Sequence, residues 1–266
     1  MNISKEQLAE MLKTKEFPLS ANYDPEWVAE NQMGPSALWL TEWLCREMKL
    51  EPGMRVLDMG CGKALSSVFL AKEFGVQVWA NDLWISASDN WKRIKEAGLQ
   101  NQVFPIHAEA HVLPYAEEFF DAIVCLDSYN YYGTDDFYLP YFIKFLKPGG
   151  QIGIVVPGLI REFDGGPPEH FTRKGKSGQV FWAEECWSVH TLAYWQHHWG
   201  RSKLIDIEVA DTLPNGGELW LQSERAFDAA GTAHFPSDLD ALEADKGEYL
   251  GLHRIVARRR EVRTNE

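Results

Sequence analysis

Three carboxylates and two glycines in the first half of the chain are spaced as a ligand site would need them. Asp58 stands two residues before Gly60, which with Cys61 and Gly62 forms a Gly-x-Gly loop; Asp82 follows Gly62 by twenty residues. Glu109 lies further on, in His107-Ala108-Glu109-Ala110. Two glycines allow a tight turn and close approach of backbone to ligand, and a helix opening after them would aim its N-terminus at whatever binds. A dinucleotide would need a third glycine where Leu65 stands. Asp58 would also repel a pyrophosphate, and suits a cationic ligand instead.

Asp82 and Glu109 stand where such a ligand needs acceptors. An acid about twenty residues after the glycines accepts both ribose hydroxyls, and Leu83 and Trp84 beside it can pack on an adenine face. Glu109 can accept from the adenine amine. S-adenosylmethionine, with a sulfonium, an ammonium, a ribose and an adenine but no phosphate, fits all three acids. Methyl transfer from it is an in-line displacement, so alignment supplies much of the rate. A base is needed only where the nucleophile must lose a proton. Candidate bases are Tyr129, first among Tyr129, Tyr131 and Tyr132, and His170. The competing role for the tyrosines is packing against the N-terminal helix. Tyr129, Tyr132, Trp182 and Trp187 are candidate substrate contacts, because aromatic faces in an acidic surround suit a cationic or aromatic molecule. His111 reads as a loop cap. His190 and His197 share a helix face, but position 194 is Tyr, so no i, i+4 metal pair forms and no metal is expected.

These residues must be positioned by alternating strands and helices. Short apolar runs predict strands at 54–59, 76–80, 103–107, 121–126 and 151–156, with helices at 65–74, 85–99 and 135–146 between them. Such alternation implies a mainly parallel sheet with helices on both faces. The N-terminus reads as helices near 4–14 and 35–48, joined by a Pro-rich irregular linker. Past Pro157, residues 158–186 read as a loop or lid insertion. A helix at 188–199, a strand at 204–210, helices at 218–230 and 237–246 (Ser237 as N-cap) and a strand at 249–257 follow. Arg258, Arg259, Arg260 and Arg263 read as a solvated basic end.

Composition bounds the partners. The 266 residues carry 26 basic and 39 acidic side chains, a net charge of −13. That sign counts against nucleic acid and against an anionic membrane surface. The polar first sixteen residues and the absence of a long apolar run imply neither a secretory leader nor a membrane span. Four cysteines without metal or redox spacing point to a reduced, cytoplasmic protein.

Taken together, "VLDMGCGKA", "ANDLW", "AEAHVLPY", "FFDAIVCLDS" and "FLKPGGQIGIV" resemble, in order and spacing, the motifs of class I S-adenosylmethionine-dependent methyltransferases, in the small-molecule branch of the type 11/25 kind. The resemblance covers residues 33–157 well and the remainder in outline. It implies a Rossmann-like, seven-stranded, mainly parallel α/β sheet whose last strand is antiparallel. A cap at 1–50 would cover a domain at 51–266 carrying insertions at 158–186 and 212–247, the latter either a dimer contact or part of the pocket. It implies S-adenosylmethionine as cofactor and S-adenosylhomocysteine as product. The cofactor residues would be Met33, Gly34, Asp58, Gly60, Cys61, Gly62, Asp82, Leu83, Glu109, Ala110 and Asp127, with Ser128 beside the reacting methyl. Two departures stand out: Glu109 where Asp is commoner, and Ala64 where the first motif ends in Gly. The latter is expected simply to start a right-handed helix.

The leading function is therefore methyl transfer to N, O, S or C of a small molecule, by a monomer or homodimer. The alternatives are a methyltransferase for RNA or protein, a non-catalytic S-adenosylmethionine-binding module, and a nicotinamide-dependent oxidoreductase. Charge disfavours RNA, and Leu65 with Asp58 disfavours the nicotinamide reading.

Overall fold

The structure, a computed structural model, describes residues 1–176, 178–235 and 237–261. The strands are Arg55–Met59 (β1), Gln77–Asp82 (β2), Val103–His107 (β3), Phe120–Leu126 (β4), Leu146–Leu159 (β5), His190–Thr191 (β6), Ile205–Thr212 (β7) and Leu250–Arg259 (β8). They form one sheet in the order β3-β2-β1-β4-β5-β8-β7. The first five are parallel, and β8 runs antiparallel between β5 and β7. This is the expected seven-stranded topology. The two-residue β6, which extends β5 at Gly158 and Leu159, was not expected and makes the sheet eight-stranded among the described residues.

The central strands read as apolar runs because both their faces are covered. On one face Val56, Val124 and Val155 pack with Leu44, Val68 and Ile94. These come from the helices Ala37–Cys45, Leu65–Phe74 and Ala87–Glu96. On the other face Leu57, Ile123 and Ile154 pack with Phe142 and Trp195, from the helices Tyr138–Phe142 and Leu192–Gly200.

Several boundaries differ from the sequence pattern for identifiable reasons. The linker read as irregular holds a helix, Pro25–Asn31, because Asp24 caps it through Glu26 N at 3.0 Å and Pro25 sits at its first position. The helix expected from 135 stops at Phe142 and continues as a 3-10 turn to Phe145. Strand β5 then begins at Leu146 and carries Pro148-Gly149-Gly150 through a bulge opposite β4. The helix expected from 188 begins only at Leu192, after β6, where Thr191 caps it. Asp238, not Ser237, is the N-cap of Leu239–Asp245. The arginines at the end are not a loose basic tail. Arg258 pairs with Glu208 at 2.6 Å, Arg259 with Glu118 at 3.2 Å and Arg260 with Asp206 at 2.7 Å. Arg263 lies outside the described residues.

The segments outside the sheet pack on one another. Lys5–Met11 is opened by a Ser4/Gln7 capping box and buries Leu8 against Ala226 and Phe227 of Gly216–Ala230. Phe171, in the short helix Glu169–Thr172, packs with Trp220 and Leu242. The 158–186 and 212–247 segments thereby share one small core. No helix among the described residues is long and apolar enough to cross a membrane. The four cysteines are buried free thiols.

Candidate functional site

The glycine loop is tied to the end of β2 by hydrogen bonds. Gly60 N and Cys61 N donate to Asn81 O at 2.9 and 3.1 Å, and Gly62 N donates to Asp82 Oδ2 at 2.8 Å. Asp82 Oδ1 accepts from Trp84 N at 2.8 Å and Ile85 N at 2.9 Å. A carboxylate has about four acceptor positions, so Asp82, 7% exposed, fixes three backbone amides and keeps room for a ligand. Gly60 has φ +74°, and a Cβ there would lie 2.3 Å from Ser128 Cβ; only glycine fits. Ala64 does not start a right-handed helix as expected: it is the N-cap of the helix Leu65–Phe74 at φ 65°, in the left-handed region. The position has therefore kept a glycine-like conformation, which disfavours a residue with a Cβ.

Asp58 and Glu109 are disposed differently from each other. Asp58 is fully buried beneath the loop, where its Oδ2 accepts from Ser66 and Ser67 Oγ, each at 2.6 Å. Burial pushes its carboxyl up to about 6 despite those hydroxyls. Glu109 folds back on its own loop and contacts His111 Nδ1 at 2.7 Å and His111 N at 2.9 Å. The His111 side-chain hydrogen bond holds the carboxyl below its ordinary range.

A cleft of about 290 Å³ opens at the C-terminal ends of β1, β2 and β4, the edge where open α/β sheets bind ligands. Of the eleven residues expected to hold a cofactor, ten line it; Asp58 is the exception and supports the loop from below. The cleft joins a second chamber of about 470 Å³, and the two share Gly34, Pro35, Trp84, Asp127, Tyr131 and Phe235. The chamber's outer wall comes from both C-terminal segments, with His170, Phe181, Trp220 and Asp238 facing in.

Asp127 stands at the junction. Its backbone, at φ 49°, is left-handed. Its carboxylate lies over Gly34, where a Cβ would come within 2.0 Å of Oδ2. Burial, then Asp238 and Glu224, push Asp127 up to about 8. Burial, then Asp238, push Glu224 up to about 7.

The structure moves several expected acceptor-side residues. Tyr129 is fully buried and lines neither cavity; its ring packs against Tyr132, Tyr138, Trp195 and Trp199. The 3-10 turn after β4 points it into the core, and Tyr131 takes the exposed place on both cavities. Tyr132 lines the cleft, 3.0 Å from Ser128 Oγ. His170 lines the chamber, with Nε2 3.4 Å from the buried Asp245. Trp182 packs on Phe163 and Phe171, Trp187 is 75% exposed, and neither lines the cleft or the chamber. Asn130, Phe181, Phe235 and Asp238 were missed, because no local pattern marks which loop residues two distant segments bring together. Among the described residues, no group of three His, Cys, Asp or Glu is placed to hold a metal ion.

Residues 56–150 match the family described as "Methyltransferase domain". Methyltransferase GfsG of Streptomyces halstedii is 30% identical over 129 residues, covering 46% of this chain and 45% of that protein. The chain spans about half the length, or less, of such curated relatives. Among solved structures, phosphoethanolamine N-methyltransferase 2 of Haemonchus contortus superimposes with TM-score 0.67 at 18% identity, over 97% of this chain and 61% of that one. The [4+2]-cyclase SpnF superimposes with TM-score 0.64 at 18% identity, over 86% and 84%. At these identities the superpositions establish the fold.

Proposed function

We propose that the chain, whose residues 56–150 match the family described as "Methyltransferase domain", is a class I methyltransferase that methylates a small molecule at the expense of S-adenosylmethionine. The observation that carries this reading is the junction of two cavities at Asp127, one lined by the glycine loop, Asp82 and Glu109 and the other by residues of both C-terminal segments. The residues present fit the cofactor. The Gly60 cradle leaves no space for a Cβ, and the side-chain acceptors at the cleft, Asp82 and Glu109, suit ribose hydroxyls and an adenine amine. Asp82 would hold the ribose, Leu83 and Trp84 the adenine face, and Gly60, Cys61, Gly62 and Met33 the methionine end. When bound, the cofactor supplies a methyl group on a sulfonium, already activated toward nucleophiles.

The protein's own part is alignment. The loop after β4 sets Asp127 and Tyr131 between the cavities, so an acceptor in the chamber faces the cleft through that gap. We assign the cap role to residues 1–50 and the chamber wall to 158–186 and 212–247. A charge of −13 favours a small molecule over nucleic acid. Incubating the protein with S-adenosylmethionine and pooled amines, phenols and thiols tests the reading. Acceptor-dependent release of S-adenosylhomocysteine supports it. Tight cofactor binding with no release from any pool would favour the second reading, a binding module without methyl transfer.

A further inference from the structure

The chamber's inner end has an unbalanced chemistry. The charges acting on Asp127 are both acidic, Asp238 and Glu224. The basic side chains lining the chamber among the described residues are His170 and Arg173. His170 is directed at Asp245, and Arg173 acts on Asp240, which also pairs with Lys176 at 3.0 Å. The groups that act on Asp127 are thus carboxylates, while Arg173 is engaged by Asp240.

An independent observation points the same way. Asn130, 3% exposed, lines the chamber on the same loop as Asp127. Its Nδ2 donates to Ser188 Oγ at 3.3 Å, but its Oδ1 accepts from no group among the described residues. A buried acceptor without a donor is a costly arrangement, and one that a ligand N–H would relieve. The surrounding Phe181, Trp220, Phe235 and Tyr131 present aromatic faces, which attract cations.

We infer that the acceptor is an amine that enters the chamber as an ammonium ion, donates hydrogen bonds to Asn130 Oδ1 and Asp127, and gives its proton to Asp127. This deepens the methyl-transfer reading and rests on it. The ammonium N–H bond breaks with its electrons staying on nitrogen, and the proton goes to the carboxylate. The nitrogen lone pair, now free, forms the N–C bond as the methyl C–S bond breaks, its electrons going to sulfur. Asp127 is placed for this because it faces both cavities. Its raised affinity for a proton supports the role. At pH 7 the free carboxyl is mostly protonated, so binding a cation beside it must expel that proton.

The test is calorimetry at pH 7 on protein saturated with S-adenosylhomocysteine, in two buffers of different ionisation enthalpy. The probes are phenethylamine and tryptamine, set against phenethyl alcohol and 3-phenylpropionate. Each amine is expected to bind at least about tenfold tighter than the alcohol, as a charge-assisted hydrogen bond implies, with release of about one proton. Asp127→Asn should abolish the proton release and most of the preference, and Asp238→Asn should reduce both. Equal or tighter binding of the alcohol or carboxylate, no amine binding, or amine binding without proton release overturns the inference. Failure of S-adenosylhomocysteine to bind in the first titration is a separate result, under which the methyl-transfer reading falls and this one with it.

Discussion

Asp127→Asn should make the protein more stable, by an amount that depends on pH. Asparagine has the same shape and is tolerated at positive φ, so the backbone at φ 49° is left as it is. What changes is the ionisable group. The folded carboxyl, at about 8, lies far above its ordinary 3.8. A raised carboxyl contributes stability that is fully present below the unfolded value and lost as pH rises through the folded one. The wild type therefore weakens from about pH 4 to pH 8 in a way the variant does not. At about 1.4 kcal/mol per pH unit, the span from 3.8 to 8 corresponds to roughly 6 kcal/mol as an upper bound. Asp127 borders two open cavities, and solvent screening reduces this to about 2–3 kcal/mol. For a domain of this size that is a rise of about 5–10 °C in Tm at pH 8, and close to none at pH 4. Thermal melts of both proteins across that range read it directly. A variant no more stable than wild type at pH 8, or equally stabilised at pH 4 and pH 8, would refute the claim that Asp127 is held in a costly site.

Two further outcomes follow from the geometry. Gly60→Ala adds a Cβ 2.3 Å from Ser128 at φ +74°, so S-adenosylmethionine affinity by calorimetry should drop at least about tenfold; wild-type affinity would show that the loop does not cradle the ligand. Tyr129→Phe removes a buried hydroxyl that has no hydrogen-bond partner among the described residues. Stability should hold or rise by up to about 1 kcal/mol and turnover should stay within about twofold. A tenfold loss of turnover would restore Tyr129 to the reaction.

The sheet, and the convergence of the glycine loop and its following acids on one cleft, were legible in the sequence because their signals are local. Strand ends, paired glycines and the acids after them recur at spacings that the βα unit enforces, and ten of the eleven proposed cofactor residues face one cleft. Asp58 shows where spacing stops informing: the spacing grouped it with the cofactor residues, but Ser66 and Ser67 hold its carboxylate under the loop. Tyr129 and Tyr131 are two residues apart and point oppositely, because a single 3-10 turn turns one into the core and the other to the cleft. The Asp24-Pro25 start of a helix was present in the sequence but obscured by the surrounding prolines. The second chamber was not legible. Its walls meet only when Phe171 packs against Trp220 and Leu242, a contact that no periodicity announces.

The central claim is that the Gly60 loop and Asp82 form a site for S-adenosylmethionine. Titration calorimetry of the wild type beside Asp82→Ala tests it most directly, since the substitution removes both the ribose acceptor and the 2.8 Å anchor of Gly62 N. Micromolar binding by the wild type, weakened at least about tenfold in the variant, is the predicted result. Absence of binding by the wild type, or equal affinity in both, would contradict the account.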